Sequence, residues 1–392
     1  MDLFRVSFTI SETITSNLAS GIYRRIGGAI TDDATGRPIA FLREFRGVES
    51  LTAQVVQMLG GAAGLGVLNL GLTTMSFALI SRRLSGIERR LNGAQKLLLK
   101  INRKLDLSFY ATFRAALDLM ERSHAISAES SRHALAVEAA SKFAETKHRY
   151  RSLADEEIAA GTAEAGEYLS TLALACVAEV ACYLQLEELA TSRRILDEGF
   201  KEYEARARRY VRLLLTPNPS AYLHPSLKDE ISLDRVTGVM RWLDPKRDAQ
   251  AVLEEQRENL FRLSEQTDQW VRSLPAAVWD PALHGPPLKG GALSRIFGRV
   301  DAAEVFKRLP ATLRVMERLV EDSCRLRMYR AELETIQRAG MSFAEWRRLS
   351  PPESSAGPRT PLVLIIPPET RLKVKTAPRV RAVARRRVKA IN

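Results

Sequence analysis

The side chains able to do covalent chemistry are sparse and scattered. The five histidines, His124, His133, His148, His224 and His284, fall in no HExxH pattern, and no His/Cys cluster has zinc spacing. No phosphate-binding loop of the GxxxxGK type is present, and no GxSxG nucleophile elbow. Gly64-Leu65-Gly66 is followed by Asn69 where a dinucleotide loop requires glycine. Acidic clusters such as Asp155-Glu156-Glu157 lie on helical stretches with basic neighbours, the pattern of a solvated face. The expectation is a protein that is not an enzyme, with no metal, no cofactor and no small-molecule substrate.

The chemistry that the spacing does offer is non-covalent. Residues 50–81 carry no charged side chain, thirty-two positions in a chain that is 27% charged. A bilayer core needs about 20 consecutive apolar residues in a helix, and the stretch from Val55 to Ile80 supplies them. Gly60 and Gly64 form GxxxG, with Gly71 and Ala78 following at seven-residue steps, so in a helix these small residues share one stripe. Such stripes let backbones approach closely where lipid gives no hydrophobic drive. The same glycines equally permit a re-entrant or hairpin shape. Asn69, with Gln57, Thr73 and Thr74, holds the mean hydropathy near the threshold for a span. The run is apolar enough to enter lipid without being bound to stay there; a permanently buried core helix is the competing reading, and glycine, which fills core volume poorly, argues against it.

Basic residues follow at once. Arg82-Arg83, Arg89-Arg90, Lys96 and Arg103-Lys104 recur at heptad intervals, opposed only by Glu88. Cations belong beside an apolar segment on its cytoplasmic side and are drawn to anionic lipid. Arg82, Arg83, Arg89 and Arg90 are therefore candidate headgroup contacts, with a solvated face as the alternative.

These residues need elements to position them. Leu84, Ile87, Leu91, Ala94, Leu98, Ile101 and Leu105 are spaced three and four apart, the seam of a coiled coil or tight bundle. Two partners suit this seam: a second copy of the chain, giving a homo-oligomer, or the chain's own bundle. Long helices are expected from Phe109 to about Leu215, then over Ser232–Leu243, Ala249–Leu274 and Ala302–Ala339. Tyr168–Leu186 is apolar on nearly every face, as a buried central helix or a second span is. Ahead of the uncharged run, Ser11 is placed to cap a short helix. Strand-like runs Gly28–Thr31 and Pro38–Arg43 flank a turn at Asp32–Gly36. Near the other end, Leu362–Ile366 is an apolar run bounded by prolines and reads as a strand, with Arg371–Lys375 able to pair with it. If the two chain ends pair, the uncharged run cannot be a plain single span.

The fold class expected is mainly α: a long-helix bundle with a glycine-rich apolar helix or hairpin and a small β element drawn from the N- and C-terminal segments. Four parts follow. Residues 1–49 form a small α+β piece and 50–81 the membrane-active segment. Residues 82–348 form the helical bundle, with its heptad helix at 84–105. Residues 349–392 hold a linker, short strands and a basic tail. No acid follows Glu369, whereas nine basic residues do, Arg385, Arg386 and Arg387 among them. That tail accounts for most of the net charge of +13 and suits nucleic acid or an anionic surface. Cys176, Cys182 and Cys324 form no disulfide framework and the N-terminus has no apolar signal core, as expected of a cytoplasmic chain, associated with the inner membrane if inserted. Arginine in excess of lysine and abundant alanine match the usage of a GC-rich bacterial genome.

In architecture this layout is similar to that of helical pore-forming and membrane-damaging proteins, an analogy of arrangement. It implies an oligomeric membrane-disrupting effector, a toxin in the sense of cell killing or antiviral defence. The alternative is a soluble helical scaffold that contacts nucleic acid or a partner through its tail.

Overall fold

The computed structural model describes residues 12–26, 29–35, 38–44, 80, 84–92, 108–215, 219–246, 248–265, 276–279, 307–348 and 363–366. After a short helix, α1 (Glu12–Ala19), come strands β1 (Tyr23–Ile26), β2 (Ala29–Asp32) and β3 (Pro38–Glu44). Residues 84–92 are helical, α2. Four long helices then follow: α3 (Ser108–Ala125), α4 (Glu129–Ala160), α5 (Glu164–Gln185) and α6 (Leu189–Leu215). Only 126–128, 161–163 and 186–188 separate them, and connections so short force successive helices to run antiparallel, side by side. Among the described residues, helices α7 (Leu233–Leu243), α8 (Ala249–Glu265), α9 (Ala276–Trp279), α10 (Leu309–Arg338) and α11 (Phe343–Arg348) come next, and β4 (Val363–Ile366) follows. The protein is mainly α with a small β element, as the patterning predicts.

The turns have local causes. Gly161 ends α4 at φ 67°, a left-handed conformation that a side chain disfavours, and its N–H and that of Thr162 satisfy carbonyls of the last helical turn. Pro310 occupies the first turn of α10, where a missing N–H costs nothing. For that reason the helix starts at Leu309, not at the expected Ala302: Lys307 and Arg308 are turn, and 302–306 lie outside the described residues.

Helix α5 is the centre. Every residue from Glu164 to Val180 is buried, because α4, α6 and α10 all pack on it. At Gly199 of α6 the approach is so close that a Cβ would sit 2.2 Å from the Cys176 sulfur. The surrounding helices are amphipathic. Leu196, Phe200, Tyr203, Ala207, Tyr210 and Leu214 give α6 one buried stripe at three- and four-residue spacing. By length and composition α5 is the one described helix able to cross a membrane, and here it is enclosed by the bundle.

The sheet runs β1-β2-β3-β4, every neighbour antiparallel. The expected hairpin is present, its turn held by the Asp32 carboxylate accepting the Thr35 N–H at 2.7 Å. Its outer edge is taken by β4, with Phe41 opposite Ile366 and Glu44 opposite Val363, so the two chain ends do pair. Strand β1 is not among the strands that the sequence pattern predicts. The sheet rests against α10 through β1 and β3. Arg371–Lys375 lies outside the described residues.

Candidate functional site: a carboxylate clamped between two arginines

A buried polar cluster is built on the first turns of α5. Glu167 sits there, where a helix N-terminus favours negative charge. Its side chain is 4% exposed. Arg90 of α2 grips it two-handed, Nε to Oε1 at 3.0 Å and Nη2 to Oε2 at 2.7 Å. Arg318 of α10 donates a third bond to Oε1 at 2.9 Å. One carboxylate thus ties three elements together: α2, α5 and α10. Burial pushes the Glu167 carboxyl up, but the Arg318 and Arg90 guanidiniums outweigh it and hold the group at about 2. Burial works against Arg318 as well, yet Glu167 and then Asp322 keep its guanidinium above the ordinary arginine range. Asp322 also accepts the Ser170 hydroxyl at 3.3 Å.

Tyrosines line the flanks. Tyr110 of α3 shares a 3.3 Å hydrogen bond with Thr171. Its ring stacks edge-on with Tyr150, which in turn meets Tyr168. Tyr210 donates to the Thr162 carbonyl at 2.7 Å and Tyr203 to the Leu319 carbonyl at 3.1 Å. Burial pushes the Tyr110 and Tyr210 phenols well up, so they serve as fixed donors. A carboxylate with both oxygens occupied by guanidinium and a pKa near 2 is a poor general base. The thiols are no more reactive: burial raises Cys176 to about 12 and Cys324 to about 11. Among the described residues no group of three His, Cys, Asp or Glu is placed to hold a metal. What this cluster can do chemically is clamp.

The seam and its cations fall on this clamp. Leu84, Ile87 and Leu91 are 0%, 2% and 0% exposed and join the core of their own chain, together with Ile80. In this conformation the described part of the seam therefore packs within the monomer. Arg90, a candidate headgroup contact, is exposed and also forks onto Glu167: a buried carboxylate needs a cationic partner, and α2 brings this one within reach. Arg89 remains exposed. Glu88, one residue earlier, pairs with Arg114 of α3. Gly60, Gly64, Asn69, Gly71, Ala78, Arg82, Arg83, Ala94, Leu98, Ile101, Leu105, Arg385, Arg386 and Arg387 lie outside the described residues.

Sequence reasoning missed Glu167 and Arg318. The apolar stretch legible in the sequence starts at Tyr168, one residue past the carboxylate; a charge bordering so apolar a helix is the available sign that a partner must exist. Comparison with protein-family models, with curated proteins and with solved structures found no match.

Proposed function

We propose that this is a membrane-interacting, membrane-disrupting protein that keeps its membrane-proximal helix stowed in a helical bundle. One observation carries the reading. The helix that directly follows the charge-free run buries its apolar row in the core and gives Arg90 to a buried carboxylate. The run's other flank, β3, rests on α10, the helix that supplies Arg318. Both flanks are thus anchored on one body, which supports a segment that enters and leaves lipid on the same face. Anionic lipid is the partner that juxtamembrane arginines fit. Assembly into a homo-oligomer would use the Leu84–Leu105 seam once it is free, since an apolar row leaving one core needs another.

Dye leakage from anionic vesicles tests this. The parent chain is expected to release dye, and Gly64→Arg to lose most of that release, because a charge at the centre of a span costs about 3 kcal/mol. Leakage by the variant equal to the parent's, or none by the parent, refutes the reading.

A further inference from the structure

We infer that α2 is an autoinhibitory element, and that Arg90 exchanges the Glu167 carboxylate for the phosphate of an anionic phospholipid when the helix leaves the bundle. The inference rests on the membrane reading above and names how that activity is restrained.

The clamp is asymmetric. Arg318 is on the permanent side: its side chain is 14% exposed, beside Asp322, on a helix packed against α5 and α6. Arg90 is on the side facing out, 43% exposed and carried by α2. If Arg90 departs, Glu167 keeps the Arg318 bond at 2.9 Å and is not left as a bare buried charge. The reverse does not hold, since losing Arg318 strips the bundle's own half of the clamp. The fold is therefore built to give up α2 and keep the rest. Arginine's planar fork fits a carboxylate and a phosphate by the same two-bond geometry, so the headgroup can stand in for Glu167. Arg89, exposed one residue away, adds a second cation at the same end.

Magnitudes decide what can release it. Ile80, Leu84, Ile87 and Leu91 are each at most 2% exposed, and each such side chain favours the docked state roughly tenfold to hundredfold. Breaking the Arg90–Glu167 pair adds a further factor of about ten or more, and parting Glu88 from Arg114 of α3 a smaller one. Release into water is therefore rare. Release into lipid is not so opposed, because lipid receives the apolar row and its phosphates receive the arginine.

Amide exchange across 84–92 in the full chain measures this directly, for the parent, R90Q and E167Q. In buffer both variants are expected to exchange at least about tenfold faster in α2 than the parent, with α4–α6 unchanged in R90Q. Phosphatidylglycerol vesicles should deprotect α2 of the parent, while phosphatidylcholine vesicles and inorganic phosphate alone do not. R90Q should respond less to phosphatidylglycerol than E167Q, which keeps the arginine. Parent-like exchange in R90Q overturns the inference, and this variant retains the Glu167–Arg318 pair should E167Q not fold. Release by inorganic phosphate alone overturns the lipid assignment. Faster exchange in both variants with no response to any vesicle leaves the restraint standing and sinks the membrane reading instead.

Discussion

The two ends of α5 solve the same problem in opposite ways. Glu167 near one end and Glu179 toward the other are buried carboxylates in a largely apolar helix. Toward its C-terminal half, Glu179 pairs with Lys147 of α4 at 2.6 Å, and both side chains are nearly sealed, 7% and 11% exposed. The pair joins two helices that follow each other in the chain and pack along their length. At the N-terminal end, Glu167 has two partners, one fixed on α10 and one borrowed from α2, whose guanidinium is 43% exposed. The first arrangement has no spare part. The second has a partner that can leave without stranding a charge. One helix thus holds a permanent tie and a releasable one, and the difference lies in where the cations come from.

Breaking the sealed end should have the largest effect. Lys147→Met keeps the volume of the stem but leaves Glu179 buried without its cation. Removing one partner of a buried pair costs about 3–5 kcal/mol, so the urea midpoint of the whole bundle should fall sharply. A loss below about 1 kcal/mol would show that Glu179 finds water or another donor, and the contrast between the two ends would collapse.

Acid gives a smaller and more selective contrast. Glu167 has an ordinary value of 4.5 and a folded value of about 2. A carboxyl lowered on folding contributes stability that is complete above its unfolded value and lost as pH falls through the folded one. The window is therefore pH 4.5 down to 2, with about 3 kcal/mol at stake. The groups facing Glu167 are Arg90 from α2, Arg318 from α10, Tyr110 from α3 and Tyr210 from α6, and the phenols stay neutral throughout. Protection of α2 amides at pH 5 should equal that at pH 7, begin to fall near pH 4.5 and be lost by about pH 2. Release at pH 5 would mean that the carboxylate is not the restraint.

The difference between the two ends also marks how far the sequence could be read. Local chemistry was legible. The Asp32–Gly36 turn announced the β2–β3 hairpin, the proline-bounded run at 362–366 announced β4, and period-3.6 patterning announced α3 to α6. Strand β1 was not legible, since Tyr-Arg-Arg-Ile shows no alternation and gains its place from β2. The left-handed Glu187, φ 59°, had no signal either; its carboxylate is fixed by the Phe343 and Ala344 N–H groups, 156 and 157 residues away. The clamp is of that second kind. Arg90 and Glu167 are 77 residues apart and Glu167 and Arg318 are 151 apart, so no spacing rule joins them. Heptad period showed that Leu84, Ile87 and Leu91 must be buried, but period is blind to whose core receives them.

Arg89 and Arg90 are neighbours in sequence and both are exposed, but Arg90 also forks onto Glu167, which gives the smallest and sharpest test. Replacing a surface cation changes stability by less than about 0.5 kcal/mol, so Arg89→Gln should leave both the urea midpoint and α2 exchange where they are. Near an anionic surface the same cation is worth about 1 kcal/mol, so binding to phosphatidylglycerol vesicles should weaken by about fivefold. Arg90→Gln should reverse that order, with the loss read first in α2 exchange in plain buffer. If the two variants behave alike in both measurements, then the Arg90–Glu167 pair carries no separate role, and α2 is held by its apolar row and the Glu88–Arg114 pair.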